Sequence, residues 1–476
     1  MPGLDVAFLH VPRSAGGRHE IMVLPLGLPA LCNLLGDEGR RAAMLHLGIE
    51  RELDPSFSLR AWLQAHQPRM VLLPWHWHQQ TRSVIELGER VRAWLPATRI
   101  FFGGLTASVF AEQAVAALPF LDGVVRGDGE QPLRALGAAV LDGAGELAAV
   151  PNLLWRDASG EPHDNGLSWS LDAATAGRLR HGDLGLLRHS AAYLARALYA
   201  DFSAGARGSE GYRLTAYLNA GRGCSASCVA CGGAAESQRR TSARQGILLY
   251  PLDKLVRDVR EAVAQGAETL RMSFDPPGAR DHVRRWFAAI RAEGFALRLL
   301  YDCWHLPTPA LLDELGASFA PGSLVVLSPE CGNERLRHRL RGHAFDNAEL
   351  LHAIAQAEER GLAVHCFFSA GLPGETPADV AESATLIERI VRTTRAAISV
   401  CPMVLDPASP MFLHPERFGV RLLRRELGDF YDERGLPGGP GYETDHFDEQ
   451  GILDACNRLL AAGGLPGLGG AGAPPP

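Results

Sequence analysis

The chain has 476 residues and a formal net charge of -7, with 46% hydrophobic and 21% charged residues. This length exceeds what one core usually holds, so we expect a soluble globular protein of several domains. The negative charge, without any basic block, argues against nucleic-acid binding through bulk electrostatics. The start MPGLDVAFLHVP lacks the regions of a signal peptide, and no apolar run is long enough to span a bilayer. These features predict a cytoplasmic protein without membrane contact.

The first 150 residues alternate short apolar runs with amphipathic helical patterns. The apolar runs predict strands over 5–12, 41–49, 69–75, 98–104 and 122–130. This alternation is typical of a doubly wound, Rossmann-like parallel sheet, in which ligands bind beyond the carboxyl ends of the strands. The loops there are HVPRSAGGRH, WHWHQQT, GGLTAS and RGDGEQP, and their glycines permit close backbone approach to a nucleotide or a flat cofactor.

The WHWHQ segment could supply two metal ligands, His76 and His78, but no third ligand is apparent nearby. The pattern favours instead a structural role, or one in which the tryptophans cover a flat ring system.

The alternation resumes after an uneven segment, 151–211, whose Gly, Ser, Asp and Pro clusters predict a linker with short helices. Six strand–helix units then predict a partial (β/α)6 barrel similar to a TIM barrel over 212–405, with its active site at the carboxyl ends of the strands. The predicted barrel strands are 213–221, 268–275, 295–302, 322–330, 362–371 and 396–405. A C-terminal extension over 406–462 and a disordered tail over 463–476 complete the predicted organisation.

Three of the nine cysteines are closely spaced, directly after the first barrel strand. Cys224, Cys228 and Cys231 follow the pattern C-x3-C-x2-C, whereas the other six are scattered singly and are expected to be small buried side chains. A structural zinc site needs a second ligand pair, which the sequence lacks, and a disulfide frame does not suit a cytoplasmic chain. Three thiolates on one loop can hold three irons of a [4Fe–4S] cluster and leave the fourth open to a small molecule.

This cysteine motif at the mouth of a six-unit barrel resembles that of the radical S-adenosyl-L-methionine (SAM) superfamily. The segments LSPECGNERLRHRLRG and HCFFSAGLPGETPADV are similar to the fourth- and fifth-strand segments of these enzymes. DPASPMFLHPERFGV and YET resemble C-terminal segments of the subgroup that carries an N-terminal cobalamin (B12) domain, in which GG and VVRGDGE also recur. The resemblance covers nearly the whole chain apart from the linker and the tail.

The resemblance implies three cofactors and a set of residues for each. The cluster would be bound by the three cysteines. SAM would be bound by residues at the ends of the barrel strands, namely Ser273, Asp275, Ser328, Glu330, Arg341, Ser369 and Gly371. Cobalamin would be bound by the first domain through Ser14, Trp75, His76, Gly103, Gly104, Gly127, Gly129 and Glu130.

The sequence departs from the family pattern at three places. Ala230 stands where an aromatic residue is common, and MSFDPPG replaces the usual Gly-Gly-Glu run of the second strand. The first domain lacks D-x-H-x-x-G, the signature of a histidine beneath cobalt. His76, His78, Arg13 or no residue could therefore lie under the cobalt.

By resemblance, the chain is expected to be a radical SAM enzyme that methylates an unactivated carbon of a natural-product or peptide substrate. A flavodoxin or ferredoxin would supply electrons. Two alternatives remain open: a cyclisation, ring contraction or oxidation without methyl transfer, and a non-catalytic cobalamin or iron–sulfur sensor. The residues do not identify a catalytic side chain beyond the cofactor ligands.

Overall fold

The structure is a computed structural model that describes residues 3–15, 19–197, 212–341, 345–436 and 438–468. The end of the predicted linker, 198–211, and most of the predicted tail, 469–476, lie outside these residues. Within the described ranges, no helix combines the length and the apolar character that a membrane crossing requires.

The first domain contains a seven-stranded sheet in the order β4-β1-β5-β6-β7-β8-β9. Its first five strands are parallel, and the last two are added antiparallel at the β7 edge. The strands of this domain are β1 Val6–His10, β2 Arg13–Ala15, β3 His19–Ile21, β4 Ala42–His46, β5 Met70–Pro74, β6 Arg99–Gly103, β7 Gly123–Val125, β8 Leu153–Arg156 and β9 Pro162–Asp164.

Seven helices accompany this sheet, and two more follow it. They are α1 Gly27–Asp37, α2 Leu47–Leu53, α3 Leu59–His66, α4 Thr81–Trp94, α5 Leu105–Val109, α6 Ala111–Ala117, α7 Glu130–Gly137, α8 Ala173–Arg178 and α9 Ser190–Arg196. Every residue of β1 and of β5 is buried, as expected for parallel strands covered on both faces. Because β1 lies between β4 and β5, the strand order reverses there, and such a switch point opens a crevice at the carboxyl ends of the strands.

The second domain is an open parallel sheet of six strands in the order β10-β13-β14-β15-β16-β17. Its strands, with the hairpin β11–β12, are β10 Thr215–Tyr217, β11 Gly221–Gly223, β12 Ile247–Leu249, β13 Thr269–Met272, β14 Arg298–Cys303, β15 Leu324–Glu330, β16 Ala363–Ala370 and β17 Ala397–Pro402. The helices are α10 Ala235–Ser242, α11 Leu252–Ala264, α12 Arg280–Ala292, α13 Pro309–Ser318, α14 Glu334–Arg341, α15 Asn347–Glu359 and α16 Pro377–Thr393.

The C-terminal segment packs back onto both domains. It contains α17 Pro410–Leu413, β18 Val420–Leu422, α18 Leu427–Tyr431, β19 Tyr442–Thr444 and α19 Glu449–Ala462. In this segment Phe430 contacts the rings of His78 and Phe110 of the first domain, and α19 packs against α16 and β17 of the barrel. Buried residues of both domains and of this segment belong to one continuous hydrophobic core.

This architecture confirms the predicted fold class: a doubly wound domain followed by a partial (β/α)6 barrel. The predicted linker differs from expectation, because residues 153–164 form strands β8 and β9 of the first sheet. All three residues of β9 are exposed, so this edge strand has no hydrophobic alternation that would distinguish it from a loop. The domain boundaries themselves stay a prediction.

Candidate functional site

A cavity of about 1160 Å³ lies between the carboxyl ends of the two sheets. Its walls come from the loops after β5, β6 and β7 of the first domain and from the ends of the barrel strands. Drug-sized ligands usually occupy cavities of roughly 300–1000 Å³, so this cavity exceeds the upper end of that range. Residues predicted for the cluster, for SAM and for cobalamin all contribute to its wall.

The three cysteines lie on the loop between β11 and α10, and all three line the cavity. The backbone amide of Ala226 donates to the Cys224 sulfur at 3.3 Å, and that of Gly233 donates to the Cys231 sulfur at 3.3 Å. Amide donors of this kind stabilise negative charge on sulfur. Two of the three sulfurs, those of Cys224 and Cys231, thus accept a backbone amide, whereas the Cys228 sulfur contacts the Arg341 carbonyl oxygen.

The thiols are held in their protonated form by their surroundings. Burial raises the pKa of Cys231 to about 12, with the nearby Asp406 carboxylate as the second cause. Burial also raises the pKa of Cys228, although the Arg341 guanidinium opposes this rise. A metal centre bound here would have to displace the thiol protons. Among the described residues, no three His, Cys, Asp or Glu side chains form a group suited to one metal ion.

Glu330 lies at the end of β15 and is held from two sides. Ser369 donates to one of its carboxylate oxygens at 2.7 Å, and Arg341 donates to the other at 3.2 Å. Arg341 also donates to the carbonyl oxygen of Ser328. Ser328, Glu330 and Arg341 line the cavity, whereas Ser369 lies behind them and orients the carboxylate.

The backbone at Glu330 is unusual. Its φ is +63°, in the left-handed region that a non-glycine residue rarely adopts, and the pairing of β15 with β16 shifts register between Leu327 and Glu330. Such strain persists only where surrounding structure enforces it, and it is concentrated at functional sites. The shift turns the Glu330 carboxylate towards Arg341 beside the cysteine loop, where Cys228 contacts the Arg341 carbonyl.

Three of the residues predicted to bind SAM, namely Asp275, Ser369 and Gly371, do not line the cavity. Asp275 is fully buried, and its carboxylate accepts hydrogen bonds from Tyr301, Arg280 and the backbone of Trp304. It therefore fixes the loop after β14, while Ser273 does line the cavity.

Gly371, another of these residues, lies in a turn that does not line the cavity. Its φ is +86°, and an added Cβ would lie 2.6 Å from the side chain of Ile452. Its amide donates to Glu375 and its carbonyl accepts from Tyr442, so the turn is packed against the C-terminal segment. The following residues, Leu372 and Pro373, line the cavity.

Glycine backbone forms the part of the first-domain wall at the end of β6. Gly103 and Gly104 line the cavity at the end of β6. Gly104 has a φ of +116°, and a Cβ there would lie 2.7 Å from the Trp75 carbonyl oxygen. Any side chain would thus clash with the neighbouring loop.

The aromatic side chains of the WHWHQ segment divide between core and cavity. Trp75, predicted to contact cobalamin, is fully buried and stacks on Phe110, so it belongs to the core. Trp77, which was not among the predicted residues, lines the cavity, with the Arg13 guanidinium 5.0 Å from its ring centre. Ser14 belongs to β2, but its side chain is outside the described part of the chain.

The two histidines of this segment also separate. His76 lines the cavity, and burial lowers its pKa to about 4, so the ring is neutral at pH 7. His78 packs against Phe430 away from the cavity, and burial lowers its pKa to about 3. Of the residues considered for the space below cobalt, His76 is thus the histidine that faces the cavity.

The RGDGE loop after β7 contributes Gly127, Gly129 and Glu130 to the cavity wall, as well as Asp128. Both acidic residues also pair with the barrel. Arg222 donates to Asp128 at 2.7 Å and contacts Glu130 at 2.8 Å, and Arg244 donates to Asp128. Sequence reasoning missed these pairs because more than 90 residues separate the partners.

The barrel supplies further cavity residues that the sequence did not single out. Arg271 on β13 donates to both carboxylate oxygens of Asp302 on β14, at 2.8 Å each. These side chains, together with Tyr217, Trp304, His305 and Asp406, line the cavity. Their only sequence signal is that they lie at or near strand ends, where a barrel places its active site.

One family model matches most of the second domain. Residues 218–387 match the family model described as the radical SAM superfamily. Among curated proteins, none matches the sequence.

Solved structures match over almost the whole chain. The radical SAM methyltransferase TsrM from Kitasatospora setae, with cobalamin and a [4Fe-4S] cluster bound, has a TM-score of 0.66 and 17% identity over 97% of this chain and 91% of its own. With tryptophan substrate and a SAM analogue bound, it has a TM-score of 0.65 and 18% identity over 88% of this chain and 77% of its own. The cobalamin-dependent SAM radical enzyme OxsB, in its apo form, has a TM-score of 0.65 and 14% identity over 95% of this chain and 65% of its own.

Proposed function

Because the chain carries a radical SAM domain and has the fold of cobalamin-dependent radical SAM enzymes, we propose that it is a cobalamin-dependent radical SAM methyltransferase. Its substrate would be a natural product or peptide, methylated at an unactivated carbon. The observation that carries the proposal is the shared cavity. The cysteine loop, the Glu330 group and the glycine-lined end of the first sheet all face one space.

The residues present fit an iron–sulfur cluster. The cysteine loop offers three soft sulfur donors, two of which already accept amide hydrogen bonds. Thiolates are the ligands of such clusters, and hydrogen bonds to sulfur adjust their reduction potentials. With Cys224, Cys228 and Cys231 as ligands, one iron would be left for the amino acid moiety of SAM.

Glu330 and Arg341 fit the polar part of SAM beside that loop. A carboxylate accepts hydrogen bonds from hydroxyl or ammonium groups, and a guanidinium donates to a carboxylate. Because Ser369 and Arg341 already fix the carboxylate of Glu330, it is oriented before any ligand arrives. This preorganisation lowers the cost of holding SAM in one pose.

The first domain fits the corrin ring of cobalamin by shape. The ring is broad and flat, and Gly103 and Gly104 leave a side-chain-free surface next to Trp77. His76 is the neutral nitrogen base on this wall, because burial depresses its pKa. The wall therefore offers the corrin ring glycine backbone, the Trp77 ring and one neutral base.

When bound, the reduced cluster would supply the electron that cleaves SAM to methionine and a 5′-deoxyadenosyl radical, and methylated cobalamin would supply the methyl group. The chain would hold SAM through Glu330 and Arg341 and place the substrate between the two cofactors. The apolar wall around Phe274, Trp304 and Phe367 would exclude water from this space.

The test is anaerobic reconstitution with iron, sulfide, cobalamin and SAM, followed by mass spectrometry of candidate substrates under reducing conditions. The proposal predicts a methylated product together with S-adenosylhomocysteine, 5′-deoxyadenosine and methionine. Formation of 5′-deoxyadenosine with a modified but unmethylated product would contradict methyl transfer and support a cyclisation, ring contraction or oxidation. Binding of both cofactors without any SAM cleavage would instead support the sensor.

A further inference from the structure

Buried ion pairs join the RGDGE loop of the first domain to the hairpin that carries the cysteine loop. Arg222 on β11 lies two residues before Cys224, and its two guanidinium nitrogens contact Asp128 and Glu130 at 2.7 and 2.8 Å. Arg244, two residues after α10, donates to the second oxygen of Asp128. Two guanidinium groups thus balance two carboxylates in this cluster.

Burial makes this cluster a firm contact rather than a surface ion pair. The side chains of Asp128, Glu130 and Arg244 are 7%, 1% and 6% exposed. The backbone amide of Leu171 also donates to Asp128 at 2.8 Å, which brings the segment between the domains into the same network. The Arg222 side chain is 25% exposed, and one carboxylate oxygen of Glu130 has no hydrogen-bond partner among the described residues, but each carboxylate contacts a guanidinium. Removing a guanidinium from such a pair leaves a buried charge without its partner, which is costly.

The same loop also touches the other end of the cysteine loop. Gly127 has a φ of +64°, and a Cβ there would lie 2.7 Å from the Cα of Ser242, the last residue of α10. Helix α10 begins four residues after Cys231. The RGDGE loop therefore contacts the chain on both sides of the cysteines, at Arg222 before them and at Ser242 after them.

We propose that Arg222 is a positioning residue that fixes the iron–sulfur cluster relative to cobalamin, by locking the cysteine loop to the RGDGE loop of the first domain. This inference rests on the proposed function, since it assigns both groups to the shared cavity. Arg222 also lines the cavity, but its ion pairs are with Asp128 and Glu130. It acts through Asp128 and Glu130, which lie on the loop that ends the first-domain wall.

The consequence is a fixed separation between the two cofactors. Methyl transfer and SAM cleavage must meet at the same substrate carbon, and misplacement by about 1 Å can cost on the order of a hundredfold in rate. Loosening the ion-pair cluster should therefore uncouple the two steps, so that SAM is still cleaved but less product is methylated per SAM consumed.

The test measures the magnetic interaction between cob(II)alamin and the reduced cluster by electron paramagnetic resonance, in the holoprotein without substrate. Arg222→Gln removes the positive charge and the guanidinium that contacts both carboxylates. Arg222→Lys keeps the charge but not the guanidinium. Gly127→Ala pushes the RGDGE loop away from α10. Arg82→Gln is the matched control, because Arg82 joins the first domain to the Tyr431 carbonyl at 2.9 Å away from the cavity.

We expect Arg222→Gln and Gly127→Ala to weaken or broaden the spin–spin interaction at least about twofold, at wild-type iron and corrin content. Arg222→Lys should restore part of it, and Arg82→Gln should leave it unchanged. The methylated product per SAM cleaved should fall about tenfold in the first two variants. If Arg222→Gln does not retain both cofactors, Arg222→Lys and Gly127→Ala decide the question.

An interaction that stays at the wild-type value in Gly127→Ala and in the Arg222 variants that retain both cofactors would overturn the inference. Failure of the proposed reaction is distinguishable from this outcome. Wild-type protein that shows the spin–spin interaction but forms no methylated product would refute methyl transfer and leave the positioning role standing. Wild-type protein that cannot hold both cofactors would refute both.

Discussion

The two walls of the cavity use different means to present a binding surface. At the ends of β5 and β6 the first-domain wall presents glycines, apolar side chains and a histidine that burial keeps neutral, and its two carboxylates, Asp128 and Glu130, are already paired with barrel guanidinium groups. The barrel wall carries thiols, carboxylates and guanidinium groups. A wall of the first kind recognises a large flat molecule by shape. A wall of the second kind recognises small charged groups and metals by specific bonds. The comparison suggests that cobalamin and SAM can be lost independently.

The sharpest way to break this comparison is to remove the thiols. Replacing Cys224, Cys228 and Cys231 by alanine should abolish iron binding and methylated product, because no other thiol lies on that loop. Cobalamin should still bind, since its wall is untouched. Iron analysis and the visible spectrum of corrin measure the two effects in one sample. The control variant Cys401→Ala changes another cysteine of the cavity wall and should keep the wild-type iron content. An equal loss of iron in this variant would contradict the assignment of the cluster to Cys224, Cys228 and Cys231.

The converse change alters the first-domain wall. Gly104→Ala should greatly weaken cobalamin binding while iron content stays at the wild-type value, because the new Cβ would meet the Trp75 carbonyl at 2.7 Å. Gly160→Ala is the control, since Gly160 has a similar positive φ of +93° but no atom within 4 Å of the added Cβ. The backbone strain of about 1–3 kcal/mol is then common to both variants. Equal cobalamin affinity in the two would refute the role of Gly104.

A smaller effect is expected from the polar group on the barrel wall. Glu330→Gln should weaken SAM binding about tenfold to a hundredfold, because a hydrogen bond to a charged group contributes roughly 1.5–3 kcal/mol. Cobalamin affinity should not change. Equilibrium binding of SAM to the reconstituted protein measures this. The control variant is Glu334→Gln, because Glu334 follows Glu330 by four residues and does not line the cavity; it should bind SAM as the wild type does. An equal loss of SAM affinity in both variants would refute a specific role for Glu330.

The smallest effect concerns stability and pH at the turn behind the SAM wall. Burial raises the pKa of Glu375 to about 7, although the amides of Gly371 and Leu372 oppose the rise. Between about pH 4.5 and 7 the folded chain therefore binds more protons at this carboxyl than the unfolded chain does. The carboxyl consequently lowers stability as the pH rises through this window, by up to about 3 kcal/mol.

Glu375→Gln should therefore unfold at a higher temperature than the wild type at pH 8, and the difference should shrink as the pH falls towards 5. Thermal unfolding of both proteins across this range measures it. The control variant Glu89→Gln, which changes an exposed carboxyl, should unfold at the same temperature as the wild type at every pH. A Glu375→Gln advantage that grows towards pH 5 would have the wrong sign and contradict the assignment.

The sequence predicted both sheets because their parallel strands are continuous apolar runs, and it placed the cysteines because their spacing is specific. It could not distinguish Trp75 from Trp77, since which of two neighbouring aromatic residues turns into the core depends on packing against Phe110. It also assigned Asp275 to SAM, although its partners Tyr301 and Trp304 come from the next strand and loop.

Contacts between distant segments carry the least sequence signal. The Arg222–Asp128 pair spans 94 residues, and neither residue belongs to a pattern that indicates its partner. Strand β9 was missed for a related reason, because an exposed edge strand is defined by its hydrogen bonds to β8 rather than by apolar residues.

The central claim is that one cavity holds both cofactors, each on its own wall. Its most direct test is the metal and corrin content of protein reconstituted anaerobically with iron, sulfide and cobalamin, added together and separately. Protein reconstituted with both cofactors together should contain about four irons and about one corrin per chain. Protein reconstituted with only one of them should contain the same amount of that cofactor. Competition between the two cofactors, in which loading one lowers the content of the other, would contradict the claim.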